Sequence, residues 1–468
     1  MTKDLTTGSP MRLIVGFGLP TLLGMLFQQF YNLMDTMIVG KLLGAQALAA
    51  VGSTSSINFF VIGFCMGVCN GFAIPVAQRM GAGDYSRMRR HIANAAYLSI
   101  GFSVVLTAAT GLLCKSILTL MNTPADIFAD ADRYIFIIFM GIPATFLYNL
   151  LAGILRALGD SRTPVYFLAL SSVLNIVLDF ASILCFHAGV AGAAIATVVS
   201  QGISGAACLV FMAKRYPVLR MTADERRFNG SSCRTLCIMG IPMGLQYSIT
   251  AIGSIVLQSA VNALGSTYVA AVAAGSKLFQ LLGCPFDAMG ATMATYCGQN
   301  VGAWKLDRLG QGMRACTLLG VLYSALAFGG MLLFSAPCAM LFLNPGEPEV
   351  ERLVALTSQY ILTSSAFFIP LSLVNIVRFS IQGMGYSMFA ILAGVLEMIA
   401  RTGVAFFLVP PLGYGAACFA SPAAWICADL FLIPASLICI GRLRRKMPAQ
   451  NPNPAPEQKR LTTVRTET

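Results

Sequence analysis

Two carboxylates stand where carboxylates are expensive. Asp35 lies in LFQQFYNLMDTMIVGKLLGA (26–45) and Asp179 in SSVLNIVLDFASIL (171–184). Both runs otherwise suit lipid, where one charged side chain costs about 2.5–3.5 kcal/mol on insertion scales. Each acid ends a polar stripe. Gln28, Tyr31 or Asn32, and Asp35 recur at helical spacing, and Ser171, Asn175 and Asp179 recur every four residues. Such spacing puts each set on one helix face. Asn149 and Thr197, with Gln201 one turn on, extend the same polar cavity. Burial penalises the charged form of a carboxylate there, and a second carboxylate adds to the penalty. The pair can take up a proton, or hold Na⁺ through oxygens of Asp35, Asn175, Asp179 and Thr197. An organic cation would compete for the same negative charge, and that competition is antiport. Apart from the coupling ion, H⁺ or Na⁺, no cofactor is expected.

The elements that must position these groups are membrane helices. Apolar residues make up 57% of the 468 and charged residues 11%, with a mean hydropathy of +0.75. A soluble domain would carry roughly 25% charged residues. At roughly 20 apolar residues per crossing, twelve spans fit, near 12–38, 46–75, 92–113, 133–155, 163–186, 189–213, 236–262, 268–297, 313–335, 352–381, 386–409 and 413–441. No cleavable signal peptide is expected. The net charge of +12 does not indicate nucleic acid, because the cations are scattered through short loops. Lys/Arg accumulate in loops on the side of the N-terminus, with Arg156 and Arg378 counted among them. The opposite side keeps Lys41, Lys115, Arg133 and Arg352. The positive-inside bias then puts both termini in the cytoplasm of a multi-pass cell (inner) membrane protein. Fourteen cysteines and two histidines show no CxxC pair and no ligand cluster, so the cysteines read as small packing residues.

The chain repeats itself. LGAQALAAVG (43–52) matches LGSTYVAAVA (264–273) at a shift of 221, which also lays Gln78 on Gln299. YNLLAGILRALGDS (148–161) matches VNIVRFSIQGMGYS (374–387) at a shift of 226. The expected plan is an N-lobe over 1–213 with helices 1–6, a cytoplasmic linker at 214–234, a C-lobe over 235–442 with helices 7–12, and a disordered tail at 443–468. Two parallel six-helix repeats enclose a cavity and rock against each other. Neither acid is copied: Asp35 shifts onto Val256 or Leu257, and Asp179 onto Ala405. The ion chemistry is therefore expected in the N-lobe. In the C-lobe, Glu397 and Arg401 are spaced i, i+4 in the favourable order. They read either as an internal pair or as a coupling or substrate site. Lys277, Asp287 and Asp429 are left without a role. Pro20 shares its helix with Asp35 and is a hinge candidate or a fixed kink.

GLPTLLGMLFQQFYNLMDTMIVGKLLGAQALAAVG, PVAQRMGAGD and LRALGDSRTP together resemble the multidrug and toxic compound extrusion (MATE) family, over roughly residues 11–442. The resemblance implies an all-α fold of twelve transmembrane helices in a V-shaped pair of six-helix bundles. It implies export of organic, often cationic, compounds against inward H⁺ or Na⁺. Asp35 matches the family's first-helix aspartate, and Asn175 and Asp179 match the Asn-xxx-Asp of helix 5. Asn149 and Thr197 match other cavity residues, Gln28 and Tyr31 match substrate-facing positions, and Pro20 matches a proline at which bending has been proposed. Glu397 and Arg401 resemble a pair found in bacterial members of this branch. Helix 7 lacks the carboxylate some members carry, and helix 10 offers only Glu351 at its outer end.

The expected protein is thus a secondary multidrug efflux transporter and not an enzyme. Its partners are small organic cations or drugs and membrane lipid, with no nucleic acid and no obligate protein partner. The alternative is a flippase for a lipid-linked sugar, which would need a basic cavity where the spans offer only Lys277 and Arg401. An ATP-driven pump would need a GxxxxGK[ST] loop, and none occurs.

Overall fold

The computed structural model describes residues 3–121, 123–343 and 349–447. From residue 448 on, the tail expected to be disordered lies outside them. The first half of the chain forms α1 Pro10–Leu43, α2 Ala45–Ser53, α3 Ser55–Gly81, α4 Tyr85–Leu120, α5 Ala125–Met140, α6 Ile142–Ala157, α7 Thr163–Phe180 and α8 Gly189–Arg215. The second forms α9 Gly230–Asn262, α10 Ser266–Gly302, α11 Asp307–Met340, α12 Val350–Ala366, α13 Phe368–Gly383, α14 Ser387–Gly403, α15 Val409–Leu412 and α16 Tyr414–Arg445. Among the described residues ten spans are long and apolar enough to cross a membrane, and the bent pairs α5/α6 and α12/α13, each taken as one span, bring the number to 12. The bends are 46° and 51°. Pro143 and Pro370 lie in the first turn after each, where a proline ring would clash with a continuing helix. Pro20, by contrast, sits inside an unbroken α1.

Each lobe has its own apolar core, yet the first helix of each leans on the other lobe. Ile14 and Phe17 of α1 are buried in the core of the second lobe, and Leu236 of α9 in that of the first. The seam between lobes obeys the repeat. Gln78 Nε2 donates to the Gly383 carbonyl at 3.0 Å, and Gln299 Nε2 donates to the Ala157 carbonyl at 2.9 Å. Gly81 packs on the backbone of Gln299, and Gly302 on that of Gln78. A Cβ at either glycine would enter the opposing carbonyl, so only glycine allows this approach.

The chain ahead of each lobe's first helix is tied to the other lobe by its own set of bonds; ahead of α9, Tyr97 Oη donates to the Arg226 carbonyl at 2.8 Å and the Asn229 N–H donates to Asn94 Oδ1 at 2.8 Å. The chain ahead of α1 lies across the end that carries both termini. Leu5 N–H donates to Gln299 Oε1 at 3.0 Å, Asn300 Nδ2 donates to the Leu5 carbonyl at 3.1 Å, and Lys305 Nζ donates to the Thr6 carbonyl at 2.9 Å. Toward the far end, the last hydrogen bond joining the lobes among the described residues is Ser248 Oγ to the Phe60 carbonyl, 3.2 Å. Beyond it, Phe59, Ile252 and Ile255 are exposed. The lobes are zipped at the terminal end and parted at the other, which leaves a cleft open to the far side.

Candidate ion and substrate site

Three helices of the first lobe build the acid site. α1 supplies Tyr31 and Asp35, α7 supplies Asn175 and Asp179, and α8 supplies Thr197. The Asp35 and Asp179 carboxyls lie within hydrogen-bonding reach of each other. Asn175 and Asp179 are fully buried (0% exposed), while Asp35, Tyr31 and Thr197 are half-buried. With its amide turned so that both ends find partners, Asn175 donates to Asp179 Oδ2 at 2.9 Å and accepts the Thr197 N–H at 3.2 Å. Tyr31 Oη and Thr197 Oγ1 are 3.3 Å apart. One oxygen of each acid, Asp35 Oδ1 and Asp179 Oδ1, is buried with no hydrogen-bond partner among the described residues. Just past Asp179, residues 181–185 form a π turn, a feature common beside functional sites.

The remaining expected cavity residues are placed less centrally. Asn149 spends its amide on its own helix, donating to the Thr145 carbonyl at 2.9 Å. Among the described residues Gln28 Nε2 reaches only Asn32 Oδ1, 3.4 Å away along α1. Sequence reading missed Tyr134 on α5, which is buried and close enough to feel both Asp35 and Asp179. Its side chain opens the run YIFIIF (134–139), in which the phenol is the lone polar group.

The structure corrects the assignment of two cations, one in each lobe. Arg378, counted with the loops, lies inside α13, 6% exposed, and is ion-paired with Glu397 of α14. Arg401 Nη2 reaches the other oxygen of Glu397 at 3.5 Å. Two arginines thus share one glutamate. The local sequence VNIVRFSIQ is apolar on both sides of the arginine, and that was the signal for burial. Arg156 is likewise within α6, where its Nη2 donates to Asn70 Oδ1 at 3.0 Å. Asp429, 7% exposed on α16, has Arg378 as its charged neighbour and keeps Oδ1 without a partner among the described residues.

The MatE family model matches residues 20–181 and 242–407, one stretch in each repeat. The chain is 33% identical to the probable multidrug resistance protein YpnP of Bacillus subtilis, over 85% of this chain and 87% of that one. It is 24% identical to the FAD transporter of Shewanella oneidensis, over 78% of this chain and 80% of that one. Its fold is similar to that of a solved multidrug resistance MATE family transporter of the MOP superfamily in an outward-facing conformation, with a TM-score of 0.87 at 22% identity, covering 95% and 99% of the two chains. Twelve-span architecture, internal repeat and matched sequence agree: the chain belongs to the MatE family of membrane transporters.

Proposed function

We propose that the protein exports organic, often cationic, compounds across the cell membrane by antiport with H⁺ or Na⁺, both termini facing the cytoplasm. One observation carries the reading. Asp35 and Asp179 approach to hydrogen-bonding reach, each with a buried oxygen left unpartnered among the described residues. Two carboxylates this close repel unless a proton or a cation lies between them. The empty oxygens are the seats for either, and Asn175, Thr197 and Tyr31 hold the acids in place around them.

The coupling follows from charge. With the ion released, the lobe carries uncompensated negative charge and favours a cationic compound. With the ion bound, that charge is cancelled and the compound is released. The zipped seam at the terminal end gives this state access from outside, where the ion enters and the compound leaves. Relatives named as multidrug resistance proteins support the export reading. The flippase alternative gains Arg378 as a further basic group, but Arg378 and Arg401 are buried against Glu397 and present no basic cavity wall.

The test uses purified full-length protein in liposomes with ethidium as the probe. A pH gradient or a Na⁺ gradient, imposed separately, should drive ethidium movement in the wild type. Asp35→Asn and Asp179→Asn should move it no faster than protein-free liposomes. Variants that keep a normal gradient dependence would sink the mechanism.

A further inference from the structure

Asp287 is a carboxylate at membrane depth that the acid site does not use. It lies in α10, 12 residues outward from Gln299, or ~18 Å along the helix at 1.5 Å per residue. In the other repeat the same step outward from Gln78 reaches Met66 on α3, at the shift of 221. At Gln78 and Gln299 the two helices touch. At Met66 and Asp287 they have parted: Met66 is 39% exposed and Asp287 is exposed as well. The two residues are pseudo-symmetric walls at the floor of the cleft.

The surroundings of Asp287 show that it faces the cleft and not lipid. Its charge is felt by Tyr247 of α9 and by Arg378 of α13. Tyr247 stands at the lobe seam, against Gly63 of α3 and close to Asn70. An accessible group that is also deep among protein atoms is on the wall of a cavity. An ionisable residue so placed marks a substrate or ion pathway. The one cation that acts on Asp287, Arg378, is ion-paired with Glu397. Among the described residues Asp287 makes neither a hydrogen bond nor an ion pair.

We infer that Asp287 anchors the positive end of a lipophilic organic cation in the central cleft, with Met66 on the opposite wall against its apolar body. The ligand chemistry follows from what is present. A metal ion needs several convergent oxygens, and this floor offers one carboxylate. A diffuse cation needs only one opposing charge, together with polarisable surface. A methionine thioether supplies such surface and packs well on aromatic rings, and the Tyr247 ring adds a face for the cation. The site lies outside the Asp35–Asp179 pair, so a compound here and an ion there compete through the rocking of the lobes and not for the same oxygens. The inference rests on the export reading and names its substrate site.

The experiment is equilibrium binding of tetraphenylphosphonium to the full-length protein in nanodiscs. Asp287→Asn should weaken binding by about tenfold or more, the factor carried by each ~1.4 kcal/mol of lost attraction. Asp287→Glu should stay close to wild type. Met66→Asp in the Asp287→Asn background should restore binding, because it returns the charge to the same level on the facing wall. A merely structural aspartate would not be rescued that way. Asp287→Asn binding within twofold of wild type would overturn the inference and leave antiport at Asp35 and Asp179 standing. Wild-type protein that binds neither tetraphenylphosphonium nor ethidium would overturn both.

Discussion

The fifth helix of each repeat carries polar groups at the same places, and the two lobes treat them in opposite ways. Ser171 and Asn175 of α7 correspond to Glu397 and Arg401 of α14 at the shift of 226. In the first lobe the stripe leads to Asp179, which meets Asp35 with no cation paired to either among the described residues. In the second, Glu397 is gripped by Arg378 and Arg401. Where α1 has Tyr31, α9 has Gly253 at a shift of 222, and a Cβ there would lie 3.7 Å from Arg401 Nη1. The tyrosine position has become space for a guanidinium. One backbone thus holds two kinds of charge: one internally compensated, the other left to be compensated by whatever binds. Only the second kind can be loaded and unloaded.

The harshest way to break this comparison is Glu397→Gln. It leaves two buried arginines without a counter-charge, and breaking a buried ion pair in this way costs about 3–5 kcal/mol. Melting of the purified protein should fall steeply. Replacing the set together, Arg378→Met, Glu397→Leu, Arg401→Met and Asp429→Asn, should leave the midpoint unchanged or higher, because well-packed apolar groups replace buried ion pairs at little or no cost. Glu397→Gln protein that melts normally but loses gradient response would move ion coupling into the second lobe.

The milder counterpart acts on the loadable side. Asp35→Asn and Asp179→Asn remove a repulsion, so the melting midpoint should hold or rise while ion-driven transport disappears. A stability loss as large as that of Glu397→Gln would mean that the first-lobe acids are structural too, and the contrast would collapse.

The seam gives a smaller and more local effect. Gln299 makes two contacts across it, to Ala157 and to Leu5, whereas Gln78 makes one, to Gly383. At a net value of about 0.5–1.5 kcal/mol per hydrogen bond, Gln299→Ala should loosen the terminal end about twice as much as Gln78→Ala. Deuterium exchange at residues 4–8 and 157–161 reads the difference. Equal effects would show that the strap ahead of α1 adds nothing to closure.

How much of this was legible depends on what carried the signal. The spans, the repeat and the polar stripes of α1 and α7 are local periodicities, and they were readable from spacing. The meeting of Asp35 with Asp179 needed two stripes on different helices to face one cavity, which composition suggested and only packing could place. Arg378 was misread because charge counting treats an arginine near a loop as a loop residue. Its burial depends on Glu397, 19 residues away on the next helix, and a pattern with a period of 3.6 cannot see such a partner. Asp287 was noticed but given no role, because its nearest helix-face neighbours are Gly283, Cys284, Gly290 and Ala291, with Gln280 two turns away. Its meaning comes from where the lobes part, a property of the assembled pair of repeats.

The least expected effect lies outside the membrane, in the segment joining the lobes. There a compensated pair can be titrated without touching either site. Arg89 grips Glu225 with two bonds, Nε to Oε2 at 2.8 Å and Nη2 to Oε1 at 2.7 Å, and the Thr222 N–H adds a third at 2.9 Å. The Arg89 hydrogen bonds, chiefly, hold the Glu225 carboxyl down from its ordinary 4.5 to about 2. A carboxyl depressed on folding contributes stability that is complete above its unfolded value and is lost as pH falls toward the folded one. The clamp should therefore hold at pH 5 and above and weaken between about pH 4.5 and pH 2. Glu225→Gln should abolish that dependence and expose residues 214–234 to limited proteolysis at neutral pH, roughly tenfold faster than wild type for the loss of one charge-assisted contact. Transport should change little, since the clamp touches neither Asp35, Asp179 nor Asp287. A large loss of transport in Glu225→Gln would show instead that the linker takes part in the rocking of the lobes, and the division between compensated and loadable charge would have to extend beyond the membrane.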